Sequence, residues 1–430
     1  MNTLAAVLAA AGMAVLAAAG PSRAQTPYLP VDPPPEPGQS VCPVGLCQAG
    51  ALEGLFEALA ATETDTHERP VHILQIGDSH TAGDRITGKL RAVMQARFGQ
   101  SGRGVLPPGT PYAGYAPLLV QVAGAGWITE AASLQPPAGA PKPQVGLAGM
   151  RSTGTEGALL GFDLDPGAEA TAVGVCGRAR GPGEGLSVEA AGLGRGLDFN
   201  GTAPDQEVCR ELTLSRPSAS VRLVSLERGV VMDSVLLTGA RRGVMVSNLG
   251  VVGASLRDLA SRDEAIVAAE LVYWRPTLIV LAYGTNEGFD DRLDAGAYET
   301  LLRGQLGRMR RLAPAASLMI IGAPDALRNG VQDGCSADGR RTPPPSLAVV
   351  RDVQRRVAAD MGVAFWDWHG RMGGDCSSDR LAMRTEPLMR GDRVHFTSVG
   401  GDWIGGVLAD DLLRAFAVWK AARTATGAGG

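Results

Sequence analysis

The chain has 430 residues and a formal net charge of −4. This length allows one large or two medium domains with a sizeable core. The slightly acidic balance and the lack of a basic run argue against a nucleic-acid-binding surface, so no nucleic-acid partner is expected.

The N-terminal segment has the pattern of a secretory signal peptide. Residues 4–19 are apolar, and Pro21 and a small-x-small site at residues 22–24 follow them. An uncleaved membrane anchor stays an alternative, although the run is short for a membrane span. Under either interpretation, the rest of the chain is exported. We therefore expect a signal peptide over residues 1–24 and a periplasmic or secreted mature chain with no membrane span.

The cysteines fit the same compartment, because disulfides persist in oxidising environments. Three local disulfides are the simplest arrangement, although other pairings stay open. No histidine lies close to a cysteine pair, and the spacings do not match a zinc knuckle, so no metal site is expected. The local pairs are Cys42 with Cys47, Cys176 with Cys209, and Cys335 with Cys376.

The first predicted elements follow a proline-rich segment. Residues 25–49 predict a stiff, extended leader that contributes no core element. A short amphipathic helix comes next, with Leu55 and Leu59 at helical spacing. Residues 72–76 form an apolar run typical of a buried strand, and the segment "TGKLRAVMQARFG" predicts a helix that ends at Gly99.

The character of the chain changes between residues 107 and 243. Proline and glycine recur, helical periodicity disappears, and short β-type segments appear, such as "SVRLVSLE" and "VVMDSVLLTG". A structureless loop of this length is rare in a compact domain. The stretch therefore predicts an inserted β-rich module.

Strand-like and helical segments then alternate to the end of the chain. The strand-like segments are "GVMVSNLG", "PTLIVLAYG", "SLMIIGAPD" and "VAFWDW". The helical ones include "LRDLASRDEAIVAAELVYW" as a single segment and "GDWIGGVLADDLLRAFAVW" as the closing helix. Alternation with continuous apolar strands predicts an α/β fold with a parallel sheet and helices on both faces. Active sites in such folds lie at the carboxyl ends of the strands.

The segment "IGDSHTAGD" follows the first of these strands and contains Ser79. A serine hydroxyl is a poor nucleophile unless a base removes its proton and donors stabilise the developing oxyanion. The segment "GDRVHFTSVGG" offers Asp392 and His395, whose spacing lets both side chains lie on one side of a turn. Asp392 would bind Nδ1 of the ring and leave Nε2 to accept the serine proton.

Oxyanion donors are available after two further strands. Gly253 follows "GVMVSNLG" and can bring its backbone N–H close to a substrate because it has no Cβ. Asn286 in "YGTN" offers a side-chain amide, and Ser79 its own N–H. Each piece alone has an ordinary interpretation as a turn, a packing glycine or a helix cap. Their order and their positions after successive strands favour the catalytic interpretation.

These four blocks resemble those of the SGNH hydrolases, also called GDSL esterases. The resemblance covers roughly residues 70–110 and 240–420, and it departs from the pattern at His80, where many members have leucine. It implies a flavodoxin-like three-layer α/β/α domain with a parallel sheet, interrupted by the β-rich, sandwich-like module. It also implies that Ser79 is the nucleophile, His395 the base and Asp392 its partner, with Ser79, Gly253 and Asn286 as oxyanion donors.

The segments around Ser79 and the position of the insertion resemble the periplasmic peptidoglycan O-acetylesterases. That resemblance implies a serine esterase that removes O-acetyl groups from a cell-wall or extracellular polysaccharide, with peptidoglycan as the expected substrate and no cofactor. The expected divisions are a signal peptide over residues 1–24, the leader over 25–49, the hydrolase domain in two parts over 50–110 and 243–422, the inserted module over 111–242, and a tail over 423–430.

The sequence leaves two other functions open and excludes a third. A polysaccharide O-acetyltransferase with the same triad and a non-catalytic carbohydrate-binding scaffold stay open. An α/β-hydrolase is excluded because its Gly-x-Ser-x-Gly motif is missing, with Thr81 where the last glycine would stand.

Asp78 and His80 are expected to line the pocket, and they lack a third ligand for a metal. His369 is expected to have a packing or hydrogen-bonding role.

Overall fold

The computed structural model describes residues 33–132, 134, 139–178, 185–199, 206–226, 228–240, 242–330, 335–336 and 338–427. The expected signal peptide and the first part of the leader lie outside these residues. The strands within them are β1 Leu46–Cys47, β2 Val71–Gly77, β3 Gly102–Leu106, β4 Val120–Ala131, β5 Met150–Leu164, β6 Ala170–Arg178, β7 Gly185–Ala190, β8 Leu193–Asp198, β9 Val208–Ser218, β10 Ser220–Ser225, β11 Val231–Thr238, β12 Val244–Gly250, β13 Leu278–Ala282, β14 Ser317–Ile321, β15 Arg328–Asn329, β16 Arg341–Thr342 and β17 Ala364–Trp366. The α-helices are α1 Glu53–Glu63, α2 Ser79–Ala82, α3 Arg85–Phe98, α4 Leu256–Ser261, α5 Glu264–Trp274, α6 Thr285–Gly288, α7 Ala295–Leu312, α8 Leu347–Met361, α9 Trp368–Arg371, α10 Ser377–Ala382 and α11 Ser398–Gly427.

A six-stranded sheet has the order β1-β17-β14-β13-β2-β12. All its pairings are parallel except that of β1 with β17 at the edge. Strand β2 lies between β13 and β12 and is buried along its whole length, as the continuous apolar run predicts for a parallel strand covered on both faces. The turn after β2 therefore lies at the carboxyl edge of this sheet, between the ends of β12 and β13.

Alternate residues of the strands of this sheet pack into two different hydrophobic clusters, because successive side chains point to opposite faces. Leu74 packs in the cluster that contains residues of α4, α5, α7 and α8. Ile73 packs in the cluster that contains residues of α1, α3 and α11. The α/β fold with a parallel sheet is thus confirmed.

The inserted stretch forms a separate antiparallel sheet of nine strands. Its order is β8-β7-β10-β5-β11-β6-β9, with β3 paired to β11 and β4 paired to β5. Apolar residues from these strands form a cluster of their own. Strand β3 precedes the expected start of the module at residue 111, yet it pairs with β11 through Val105 and Leu236. Strands β15 and β16 form a small third sheet.

Two local predictions were wrong. The segment "LRDLASRDEAIVAAELVYW" forms two helices, because Asp263 caps α5 by accepting from the N–H groups of Ala265 and Ile266. The Arg308 guanidinium donates to the carbonyl oxygens of Leu259 and Arg262, at 3.1 and 2.9 Å, where α4 ends.

The leader also contributes to the core, contrary to expectation. Leu46 is buried, and β1 adds an antiparallel strand to the edge of the six-stranded sheet. The structure contains the three local disulfides, Cys42–Cys47, Cys176–Cys209 and Cys335–Cys376. None of the helices in the described part of the chain has the length and apolar character that a membrane span requires.

Candidate active site

Ser79 begins the short helix α2, directly after the turn that ends β2. Gly77 is required in this turn, since a Cβ there would lie 2.3 Å from Oγ1 of Thr81 and 2.5 Å from the Ala282 carbonyl oxygen. Asp78 caps α2 by accepting from the N–H of His80 at 2.9 Å. Close packing of this turn against the end of β13 holds Ser79 in place.

Ser79, His395 and Asp392 form a continuous hydrogen-bonded chain. The Oγ of Ser79 lies 3.0 Å from Nε2 of His395, and Nδ1 of His395 lies 2.8 Å from Oδ2 of Asp392. A carboxylate can only accept, so Nδ1 carries the proton and Nε2 is free to accept from the serine hydroxyl. The arrangement matches a nucleophile, a base and an orienting carboxylate.

Asp392 is held as a carboxylate by its surroundings. Partial burial would raise the pKa of Asp392, but hydrogen bonds to its carboxylate outweigh this effect and lower that pKa. The donors are the backbone N–H and the ring of His395 and the backbone N–H of Val394. Both backbone donors lie 2.9 Å from Oδ1. The segment lies between α10 and α11, not at the end of a strand as expected, and the N–H of Arg390 donates to the His395 carbonyl oxygen at 2.7 Å.

The two expected side-chain neighbours of Ser79 differ in their positions. His80 lines the pocket that holds Ser79, whereas Asp78 is buried behind it. His80 places Nδ1 3.3 Å from Oδ1 of Asp78 and donates from Nε2 to the Val394 carbonyl oxygen at 2.9 Å. Its ring centroid lies 5.4 Å from that of His395. His80 therefore joins the serine turn to the segment that carries the base.

The two predicted oxyanion residues, Gly253 and Asn286, lie in neighbouring segments of the chain that are hydrogen-bonded to each other. Nδ2 of Asn286 donates to the carbonyl oxygen of Ala254 at 2.8 Å, next to Gly253. Gly253 has φ +78°, a left-handed conformation that favours glycine. Oε1 of Glu287 accepts from the Leu256 N–H at 2.8 Å, and burial raises the pKa of Glu287 to about 7. These bonds tie the Gly253 loop to the end of β13.

The pocket around Ser79 contains residues that the sequence did not single out. A cavity of about 320 Å³ is lined by Ser79 and His395 together with Arg85, Tyr112 and Arg390. Tyr112 comes from the inserted stretch, and its hydroxyl donates to the Ala82 carbonyl oxygen at 2.7 Å. No periodicity or motif marks these residues, because they meet only when distant segments pack together.

Asp84 directly precedes α3, as its position in the sequence suggests, and it has a second role in the core. It is buried and bonded to the guanidinium groups of Arg91 and Arg103, at 2.9 and 2.8 Å. Burial would raise the pKa of Asp84, but the two arginines outweigh it and hold that pKa well below its usual range. The Asp84 carboxylate also accepts from the N–H of Leu118, so it connects α3 to the start of the inserted stretch.

His369 lies with two carboxylates outside the Ser79 pocket. Its Nε2 is 2.9 Å from Oδ1 of Asp375, which agrees with a hydrogen-bonding role. With Asp325 these side chains place three possible ligand atoms within 4.8 Å of one another. The guanidinium of Arg351 lies 3.8 Å from Asp375, and its positive charge opposes cation binding there.

The sequence matches no family model and no curated protein. The fold is similar to that of a peptidoglycan O-acetylesterase, with a TM-score of 0.74, 25% identity, and coverage of 87% of this chain and 99% of the other.

More distant matches include a GDSL-like lipase from Parabacteroides merdae (TM-score 0.29, 18% identity, 40% of this chain and 72% of the other). They also include a family two carbohydrate esterase from Cellvibrio japonicus (TM-score 0.27, 10% identity, 69% and 98%). The similarity in fold to the peptidoglycan O-acetylesterase confirms the predicted resemblance to that group of SGNH (GDSL) hydrolases.

Proposed function

We propose that the protein is an exported serine esterase that removes O-acetyl groups from a cell-wall or extracellular polysaccharide, with peptidoglycan as the first candidate. The observation that carries the proposal is the 3.0 Å approach of Ser79 Oγ to His395 Nε2, with Asp392 on the other ring nitrogen. The similarity to a peptidoglycan O-acetylesterase over nearly the whole of that chain supports the substrate class.

In the proposed mechanism His395 accepts the hydroxyl proton as Ser79 Oγ attacks the acetyl carbon. The N–H groups of Ser79 and Gly253 and the side-chain amide of Asn286 stabilise the oxyanion, and one such donor contributes about 3 kcal/mol. The tetrahedral intermediate expels the sugar oxygen, which takes the proton from His395. Water, activated by the same histidine, then attacks the acetyl-serine and releases acetate. The residues of the chain suffice for each step.

The proposal also covers the domain organisation of the chain and the compartment in which the protein acts. The hydrolase domain is a flavodoxin-like three-layer α/β/α unit over residues 50–110 and 243–422, with residues 111–242 as the inserted module. Strand β1 adds to the sheet of the hydrolase domain from outside these bounds, and β3 pairs with the sheet of the module. The arrangement of the two helix-containing clusters about the parallel sheet supports this division. The three disulfides support a periplasmic or secreted protein.

The direct test is acetate release from O-acetylated peptidoglycan by the wild-type protein and by Ser79→Ala. We expect the variant to lose release and to lose hydrolysis of 4-nitrophenyl acetate. Ser220→Ala, in β10 of the inserted module, is the matched control and should behave as wild type. Equal turnover in Ser79→Ala and wild type would exclude the mechanism.

The same experiment separates the other candidate functions. An O-acetyltransferase would transfer the acetyl group to added chitooligosaccharides faster than to water. A non-catalytic scaffold would bind the polymer without releasing acetate.

A further inference from the structure

The lining of the Ser79 pocket is positively charged. Two arginine side chains, Arg85 and Arg390, line it beside Ser79 and His395. Among the described residues, no aspartate or glutamate lines the same cavity. The chain as a whole is slightly acidic, with a formal charge of −4, so this pocket does not simply extend a basic surface.

Each arginine is held close to one member of the triad. Arg85 is the first residue of α3, which follows the Ser79 turn directly. Arg390 is tied to the base, because its backbone N–H donates to the His395 carbonyl oxygen at 2.7 Å. An anion bound by these side chains would therefore lie next to the ester that Ser79 attacks.

The two guanidinium groups are available to a ligand. Arg85 pairs with Asp402 at 4.0 Å, and the two side chains are 45% and 47% exposed, so this pair is weak. Arg390 is exposed, and its side chain makes no hydrogen bond or ion pair with any residue in the described part of the chain. By contrast, the nearby buried pair Arg91 and Arg103 is neutralised in part by Asp84.

We propose that Arg85 and Arg390 bind a carboxylate carried by the acetylated sugar or by a group attached to it, so that the enzyme prefers acetyl esters of anionic polysaccharides to neutral ones. A guanidinium fork matches the geometry of a carboxylate and can bind it with two parallel hydrogen bonds. This inference rests on the proposed esterase function and specifies its substrate class. A peptide stem and a uronic acid are the two sources of such a carboxylate.

The expected effect of each arginine is modest because the site is open to solvent. An exposed ion pair changes affinity by about two- to fivefold. Together, the two arginines should change the ratio of kcat/KM values between charged and neutral substrates by about tenfold. Added salt should reduce that ratio by screening the charges.

The test compares kcat/KM for acetate release from three substrates: an O-acetylated muropeptide with its peptide stem, an O-acetylated alginate oligosaccharide, and an O-acetylated xylo-oligosaccharide without uronic acid. The variants are the double replacements Arg85→Gln with Arg390→Gln, and Arg85→Lys with Arg390→Lys. Arg310→Gln, an exposed arginine on α7 outside the pocket, is the matched control.

We expect the wild type and Arg310→Gln to favour a carboxylate-bearing substrate over the neutral one. The ratio of kcat/KM values should fall about tenfold in the double glutamine variant and be largely kept by the double lysine variant. Preference for the muropeptide or for alginate identifies the source of the carboxylate.

Equal kcat/KM for charged and neutral esters in the wild type would overturn the inference, as would an unchanged ratio in the double glutamine variant. Ser79→Ala separates this failure from failure of the proposed function. If the esterase assignment itself is wrong, either the wild type releases no acetate from any of the three substrates, or Ser79→Ala releases it as fast as the wild type does.

Discussion

Nε2 of His80 donates a hydrogen bond of 2.9 Å to the carbonyl oxygen of Val394, the residue before His395. The other ring nitrogen lies 3.3 Å from the Asp78 carboxylate. Both partners are acceptors, so the doubly protonated ring, an imidazolium, can donate to each of them. Burial would lower the pKa of His80, but the bonds to Asp78 and Val394 outweigh it and raise that pKa. The cation thus links the nucleophile turn to the segment that carries the base.

Replacing His80 tests this link. His80→Leu removes both hydrogen bonds, and loss of alignment between Ser79 and His395 should lower kcat for 4-nitrophenyl acetate by roughly ten- to a hundredfold, with a smaller change in KM. His80→Gln can still donate to Val394 and should recover part of the loss. Wild-type kcat in His80→Leu would show that the bond does not position the base.

The stability contribution of His80 has a defined pH dependence. Its pKa in the folded protein is raised above its ordinary value of 6.5, so folding favours a proton on this ring. The stabilisation is fully present below about pH 6.5 and is lost as the pH rises through the folded-state pKa. The difference in melting temperature between wild type and His80→Leu should therefore shrink with rising pH. A difference that grows with pH would contradict the imidazolium assignment.

Asp392→Asn should impair catalysis with little change in fold. An asparagine can donate to Nδ1 of His395 and so favour the tautomer that leaves Nε2 unable to accept the serine proton. Buried triads lose about 10⁴-fold in kcat from this change. Here the Asp392 side chain is 45% exposed, so we expect a loss of roughly ten- to a thousandfold.

The matched control for Asp392 is Asp375→Asn, since Asp375 also bonds to a histidine, His369, outside the pocket. Steady-state kinetics on 4-nitrophenyl acetate should give wild-type values for this control. Equal losses in both variants would indicate a general effect on stability.

Asn286→Ala tests the oxyanion assignment. Removal of one oxyanion donor lowers kcat by about 10²- to 10³-fold, and KM should change less because the bond strengthens only in the transition state. Asn286 also donates to the Ala254 carbonyl oxygen, so the melting temperature of the variant should be measured beside its kinetics. Asn329→Ala, at an exposed position in β15, is the control. A rise in KM at constant kcat would place Asn286 in ground-state binding instead.

Glu270→Gln tests a buried carboxyl on α5 that is hydrogen-bonded to the inserted module. Its Oε2 accepts from the Leu147 N–H at 2.8 Å, and burial, together with the nearby Asp233, raises the pKa of Glu270 from 4.5 to about 8. The folded state therefore holds a proton that the unfolded state releases. The stability present below about pH 4.5 is lost as the pH rises through about 8, by roughly 5 kcal/mol at most.

Urea unfolding of wild type and Glu270→Gln, at about pH 5 and about pH 9, measures this slope. The variant should lose less stability than the wild type between these pH values, because glutamine does not titrate, while buried Glu287 still contributes to the pH dependence of both proteins. Parallel stability curves for the two proteins would contradict the assignment of a protonated Glu270.

The sequence predicted the parts of the site that depend on local pattern and on a general rule of parallel sheets. Ser79 follows an apolar strand, and the Asp-x-x-His spacing brings Asp392 and His395 together within one turn. The contact between Ser79 and His395, 316 positions apart, was predictable because catalytic residues gather at the carboxyl edge of such a sheet.

Features set by tertiary packing escaped prediction. Asp84 looks like a helix-entry residue until Arg91 and Arg103 enclose it. Arg308 comes from a later helix and donates to the Leu259 and Arg262 carbonyl oxygens at the break between α4 and α5, a contact that the local sequence does not reveal. Arg390 and Tyr112 enter the pocket from segments with no periodic pattern, so only the folded arrangement identifies them.

The measurement closest to the central claim is the identification of the acylated residue. Wild-type enzyme mixed with 4-nitrophenyl acetate, quenched in acid, digested and analysed by mass spectrometry should carry an acetyl group on Ser79. His395→Ala should show little of this adduct, because the hydroxyl then lacks its base. Turnover by wild type with an acetyl group on another residue, and none on Ser79, would contradict the account.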